Sequence, residues 1–395
     1  MKTFMFPGQG SQKKGMGATL FDEFKALTER ADRILGYSIE ELCLENPDRK
    51  LNQTQFTQPA IYVVNALSHF RKIAESNRKP DFLAGHSLGE FNALLAAGCF
   101  DFETGLRLVQ KRGELMSQAR DGGMAAVLNA TIEEIDAVFK EQGLTEIDVA
   151  NYNAPSQIVI SGSKDELDKA RPFFLRGGMN FVPLNTSAAF HSRYMQLARN
   201  EFETYLKAFE FSAPNIPVIS NVSARPYQSG DEIANLSAQV TSSVKWFESI
   251  QYLRGLGDME FEEIGHGTVL TKILAKIIQE RPEPPKRVQE EVQGTPRQKA
   301  IETGEPEPEP LTAEEKVAAW NREHPIGTKV RSSIIEDDNL ETRTKAVVLF
   351  GHRAAVYLTG YKGYFDLDEL DARGSKASMS TPSCSGADPS LEAVH

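Results

Sequence analysis

The chain has 395 residues, 25% of them charged and 40% hydrophobic, with a formal net charge of −11; that is length for two domains, or for one large domain with an insertion and a tail. The acidic balance argues against a nucleic-acid surface, while leaving room for a local basic patch that meets an acidic partner. Three scattered cysteines without CxxC spacing, no Cys/His cluster at zinc spacing, no charged-then-apolar leader and no bilayer-length apolar run give the expectation of a cytoplasmic enzyme with no metal and no membrane segment.

Residues 2–6, KTFMF, read as a buried first strand running into Pro7-Gly8-Gln9-Gly10-Ser11-Gln12. That stretch lacks the G-x-G-x-x-G and GxxxxGK[ST] spacings of nucleotide loops, and fits a tight turn that brings backbone N–H groups near Ser87. Helices are expected over 20–35 and 39–43, and Thr57-Gln58-Pro59-Ala60 opens another, with Pro59 suited to a first helical position. Then comes DFLAGHSLGEFNALLAAGC over 81–99. A strand-like run leads into Gly85-His86-Ser87-Leu88-Gly89 and a helix-forming run leads out, which is the pattern of a nucleophile elbow. Gly85 and Gly89 carry no Cβ, so strand and helix can close around a strained turn that exposes the Ser87 hydroxyl. The Leu88 N–H, at the start of the helix, stands nearest to a developing oxyanion.

The helical pattern of 102–120 places Leu106, Val109, Leu115 and Met116 on one face, and Arg112 beside Lys111 reads by itself as a solvated charge. Residues 124–186 follow a β-α-β-β-α-β order, the split pattern of a ferredoxin-like subdomain inserted into a larger α/β domain. The chain returns through Ser187-Ala188-Ala189-Phe190-His191-Ser192, a helix over 193–209, a strand near 217–220 and the Val244-Lys245-Trp246 segment. A last strand and helix over 260–278 surround Gly265-His266-Gly267. The division expected is a catalytic core of 1–123 and 187–280, the subdomain 124–186, a Pro/Glu-rich linker 281–310, a small α+β module 311–370 and a disordered tail 371–395. The module reads as one helix followed by a glycine-punctuated meander, and no catalytic motif follows residue 281.

A serine at its own pKa needs a base within reach. Of the seven histidines, His324, His352 and His395 lie past the linker, His69 sits in a packed helix, and His86 adjoins the serine at a turn where neighbouring side chains point apart. His191 and His266 remain. His266 suits a Ser…Asp…His hydrolase order; His191 would face the elbow across a cleft between two domains.

FPGQGSQ, TQPA, GHSLGE, Arg112-Gly113, NAPSQIVISG, AAFHS and the SNV and VKW segments, in that order over residues 1–280, resemble the malonyl-CoA:acyl carrier protein transacylases. The likeness is to the free-standing members that load "trans-acyltransferase" polyketide synthases. The resemblance implies an α/β-hydrolase-like core with a ferredoxin-like subdomain, Ser87 as nucleophile, His191 as general base, and the Gln9 and Leu88 N–H groups as oxyanion hole. Gln58, His86 and Met116 would line the site, a carbonyl near Lys245 would orient His191, and Arg112 would grip the malonate carboxylate through a bidentate pair. Phe190 would crowd an α-methyl branch. The implied partners are malonyl-CoA as substrate and acyl carrier proteins of a polyketide synthase, with no cofactor and a monomeric state. The implied reaction is ping-pong malonyl transfer, the alternative being an acyl-thioester hydrolase. Gly265-His266-Gly267 departs from the Gly-Pro-Gly usual in the family, and 311–370 has no counterpart in the stand-alone fatty-acid enzyme.

Overall fold

The computed structural model describes residues 1–76, 78–186, 188–283, 312–332, 340–349, 353–359, 364–367 and 370–372. The chain divides into two compact units, Met1–Ile301 and Glu302–His395. Most of the expected linker, and the tail beyond residue 372, lie outside the described residues.

In the first unit the strands are β1 (Lys2–Phe6), β2 (Phe82–Gly85), β3 (Gly122–Leu128), β4 (Ile147–Ala154), β5 (Gln157–Ser163), β6 (Asn180–Pro183), β7 (Val218–Ile219) and β8 (Glu260–Glu263). β1, β2, β7 and β8 form a parallel sheet in the order β7-β2-β1-β8. Strand alternation sends β1 side chains to two different cores. Phe4 and Phe6 join Leu83 in a cluster with the helices Thr54–Ser76, Gly89–Ala96 and Phe102–Gln118, whereas Met5 joins Ala84 and Ile219 against Trp246–Gly255 and Val269–Glu280. Helices on both faces explain why Thr3 to Phe6 are buried throughout, with no polar-out alternation.

The second sheet of this unit is antiparallel, in the order β4-β5-β3-β6. Each helical crossover skips one strand: Ile132–Gln142 carries the chain from β3 to β4 past β5, and Lys164–Ala170 carries it from β5 toward β6 past β3. That is the ferredoxin-like arrangement. Ala125, Val127, Ile158 and Ile160 pack with Ile135, Leu167 and Phe174 in a core separate from those of the parallel sheet. The subdomain is stitched to the larger core through backbone. Val244 donates to the Ala150 carbonyl (2.8 Å) and accepts from the Tyr152 N–H (2.9 Å), while the Glu280 carboxylate accepts from the Ser156 N–H (3.1 Å).

Some expected elements differ. The helix over 20–35 is two helices, Ala18–Phe21 and Lys25–Leu35, and the Thr28 hydroxyl donates to the Phe21 carbonyl (3.2 Å) across the break. Pro59 is not at the first turn: the helix starts at Thr54, where Thr57 Oγ1 donates to the Leu51 and Gln53 carbonyls (2.6 and 2.9 Å), and Pro59 sits inside. In Val244-Lys245-Trp246, Lys245 caps the helix that Trp246 begins.

The second unit has a helix, Ala313–Glu323, opened by a Thr312/Glu315 capping box, and strands β9 (Val330–Ser332), β10 (Val347–Leu349), β11 (Arg353–Tyr357), β12 (Tyr364–Asp366) and β13 (Leu370–Ala372). β10, β11 and β12 form an antiparallel meander, but β9 pairs with β13 instead of extending it. Residues 371 and 372 therefore belong to a strand and not to the tail. Val330, Leu340, Val356, Leu358 and Leu367 form this unit's own core.

Candidate active site

Three glycines press the first loop, the elbow and its helix into one another. A Cβ on Gly85 would lie 2.0 Å from the Gly89 carbonyl carbon, one on Gly89 would lie 2.0 Å from the Phe6 oxygen, and one on Gly8 would lie 2.3 Å from the His86 oxygen and 3.5 Å from the Leu88 nitrogen. The loop that carries Gln9 is thereby seated on the elbow, and it is tightened by Ser11, whose N–H and hydroxyl both donate to the Gly8 carbonyl (3.2 and 2.8 Å). At the apex, Ser87 has φ of 51°, left-handed for a residue with a Cβ.

Ser87 Oγ is 2.7 Å from His191 Nε2, and His191 Nδ1 is 2.8 Å from the Gln239 carbonyl. A carbonyl can only accept, so Nδ1 carries the proton and donates, leaving Nε2 free to take the serine's hydrogen. Gln239 ends the helix Glu232–Gln239, where terminal carbonyls lack intrahelical partners; this is why one is available there, and not near Lys245 as expected. His191 also has a left-handed φ, 56°, which turns its ring back toward the elbow. Burial first, and then the Arg112 charge, push the His191 pKa down to about 3, so the ring is neutral. His266 lies half-buried after β8, and among the described residues no hydrogen bond joins it to Ser87.

Arg112 is not solvated. It is 1% exposed, on the inward face of Phe102–Gln118, where Gly113 allows close approach to the Thr54–Ser76 helix: a Cβ there would sit 3.1 Å from the Thr54 oxygen. Its Nη1 donates to Gln58 Oε1 (2.8 Å); its Nη2 donates to Gln239 Oε1 (2.8 Å) and to Ser87 Oγ (3.2 Å). Its Nε is buried without a partner. Burial holds its pKa down to about 10, with the Glu90 charge opposing. The side chain thus stays cationic and keeps unused donor capacity beside the Ser87 hydroxyl.

Gln58 Nε2 reaches the Met116 sulfur at 3.5 Å, so Gln58 and Met116 stand on Arg112's flank. Phe190, 5% exposed and adjacent to His191, packs in the same apolar cluster as Met116. His86 Nε2 lies 2.8 Å from Asn153 Oδ1, with its ring 5.5 Å from Trp246, and burial lowers its pKa. Glu90, Asn153, Asn221 and Gln239 join the site without a role that the sequence patterns assign them. Asn153 and Asn221 lie inside the NAPSQIVISG and SNV segments and Glu90 closes GHSLGE, so position within motifs was the available signal.

A serine on a nucleophile elbow, a neutral histidine oriented by a carbonyl, and a buried guanidinium facing the hydroxyl, all on a parallel sheet with a ferredoxin-like insertion, define an acyl-transferring serine enzyme. The acyl transferase domain model matches residues 3–298, and the chain belongs to that family. Over 279 residues it is 60% identical to the Bacillus subtilis (strain 168) polyketide biosynthesis malonyl CoA-acyl carrier protein transacylase PksC, covering 70% of this chain and 97% of that one. The malonyl CoA-acyl carrier protein transacylase crystal structure from Burkholderia pseudomallei is 55% identical with a TM-score of 0.71, covering 72% of this chain and 99% of that one. A malonyl-transacylase in complex with its type II PKS acyl-carrier protein is 33% identical, with a TM-score of 0.67, covering 70% and 93%.

Proposed function

We propose that this enzyme moves a malonyl group from malonyl-CoA to the phosphopantetheine thiol of an acyl carrier protein, in trans to a polyketide synthase. The observation that carries the acyl choice is Arg112: a buried cation held by the neutral acceptors Gln58 and Gln239, 3.2 Å from Ser87 Oγ, with Nε unpartnered. A carboxylate on the acyl group is the ligand that completes such a fork. The names of the relatives above support the same substrate and partner.

In the first half-reaction His191 Nε2 takes the Ser87 proton as Oγ attacks the thioester carbonyl, the Gln9 and Leu88 N–H groups hold the oxyanion, and the C–S bond breaks as His191 returns the proton to the departing CoA sulfur. A malonyl-Ser87 ester results. In the second, His191 takes the proton of the carrier thiol, sulfur attacks the ester, and Ser87 Oγ regains its hydrogen as it leaves. Burial is the main cause of the weak basicity of His191 and the Arg112 charge the second; a malonate carboxylate on Arg112 offsets that second part, so binding the correct acyl group raises the basicity of the residue that must act next. Phe190 and Met116 set the apolar wall against α-branched acyl groups. We place the enzyme in the cytoplasm as a monomer; among the described residues no helix is long and apolar enough to cross a membrane.

Intact-protein mass spectrometry after brief incubation with malonyl-CoA, methylmalonyl-CoA or acetyl-CoA, followed by carrier protein, tests this. Expected is a malonyl adduct on Ser87 that disappears as the carrier gains it. CoA release with no adduct and no carrier loading overturns the transfer reading in favour of a hydrolase.

A further inference from the structure

Both backbone polar groups of the nucleophile are tied to side-chain amides. The Ser87 N–H donates to Asn221 Oδ1 (2.7 Å), and the Ser87 carbonyl accepts from Gln239 Nε2 (2.9 Å). Asn221 and Gln239 then converge on one group. Glu90, on the elbow helix and 0% exposed, accepts at Oε1 from the Asn221 N–H (3.2 Å) and the Tyr227 hydroxyl (2.6 Å), and at Oε2 from Gln239 Nε2. Gln239 also presents Oε1 to Arg112 and its backbone carbonyl to His191.

The direction of donation along this chain is dictated from its ends. Arginine only donates, so Gln239 must show its oxygen to Arg112 and its NH2 to the other side. The Asn221 N–H is backbone and cannot turn round. Position 90 must therefore accept on both of its terminal atoms, which a carboxylate does and a carboxamide does not. In Glu90→Gln the amide nitrogen faces one of two donors, the Asn221 N–H or the Gln239 NH2, whichever way it is turned.

We infer that Glu90, acting as a carboxylate, is the positioning residue of this site: through Gln239 it aims Arg112 and His191, and with Asn221 it holds the Ser87 peptide in its left-handed turn. It touches no reacting atom. This rests on the malonyl-transfer reading and says how acyl preference is set within it. The charged and titratable groups that face Glu90 are Arg112 from Phe102–Gln118 and Tyr227 from the segment after β7; Asn221 and Gln239 are neutral. Burial lifts the Glu90 carboxyl to about 7, against the Tyr227, Gln239 and Asn221 hydrogen bonds and the Arg112 charge, so its ionised form is gained as pH rises through neutrality.

The test compares rates of Ser87 loading from malonyl-CoA and acetyl-CoA in the full-length wild type, Glu90→Gln, Gln239→Met and the double variant. Glu90→Gln should slow malonyl loading about tenfold to hundredfold through kcat, with KM little changed, and should lower the malonyl-to-acetyl rate ratio. Gln239→Met should reproduce both effects, and the double variant should be no slower than the slower single. The wild-type malonyl rate should fall as pH drops below about 7, and that limb should be absent in Glu90→Gln. A wild-type rate ratio in either single variant overturns the proposal, as do multiplicative losses in the double. A loss shared equally by both acyl groups marks a merely structural role and also overturns it. Where Glu90→Gln does not fold, Gln239→Met decides. Absence of any malonyl-Ser87 in the wild type overturns the transfer reading itself, before any variant is compared.

Discussion

At the scale of single residues the site contrasts two cations, one permanent and one suppressed. Arg112→Gln removes the fork while leaving a polar side chain against Gln58 and Gln239, and should lower kcat/KM for malonyl-CoA about tenfold to hundredfold while leaving acetyl loading intact or faster; competition between the two thioesters, read by adduct mass, checks this. His191 bears on stability as well as on rate. Its pKa is about 3 when folded and near its ordinary value when unfolded, so between those limits the unfolded chain binds the extra proton and stability rises with pH. Glu90 contributes the opposite slope, since its folded pKa of about 7 lies above its ordinary value. In thermal unfolding from pH 7.5 to 5, His191→Gln should therefore lack the His191 slope and gain stability relative to the wild type as pH falls, and its loading rate should fall about 10²- to 10⁴-fold. A variant that tracks the wild-type pH dependence would show that His191 is not held neutral.

At the scale of elements, contact between loop and elbow matters more than the GxSxG pattern itself. Gly8→Ala drives a Cβ into the His86 carbonyl and must lift the loop that bears the Gln9 N–H, so kcat should fall about 10²-fold or more with a modest change in KM, as measured by steady-state malonyl transfer. Gly36→Ala is the control: its Cβ would meet nothing within 4 Å, and φ of 78° makes it a purely local backbone cost of about 1 kcal/mol with unchanged activity. Ser87 and the strand and helix around it were legible because the elbow is encoded locally, within a few residues. Arg112 was legible only through family likeness, because helical periodicity cannot distinguish a cation facing solvent from one whose neighbouring glycine lets it sink between two helices. Glu90, Asn221 and Gln239 were not assigned roles. Their meaning depends on partners up to 152 residues away, and in the sequence a buried acceptor looks like any polar residue. The orienting carbonyl was misplaced for a related reason: backbone oxygens carry no residue signature, and only the end of the Glu232–Gln239 helix reveals which one is free.

At the scale of the whole molecule, each functional side chain described comes from the unit Met1–Ile301, which has hydrophobic cores of its own. A chain ending at residue 283 should therefore fold and load malonate within about twofold of the full-length rate, as checked by the same adduct assay; a collapse of activity would give the second unit a part in the chemistry. The left-handed backbone of Ser87 and His191 at the site has a further consequence for anyone who would improve this molecule. Both hold shapes that glycine adopts more easily, so Ser87→Gly should melt at a higher temperature than the wild type by the equivalent of about 1 kcal/mol. A library sorted for heat resistance alone would drift toward inert proteins at the catalytic turn, and useful selection on this scaffold has to score turnover in every round.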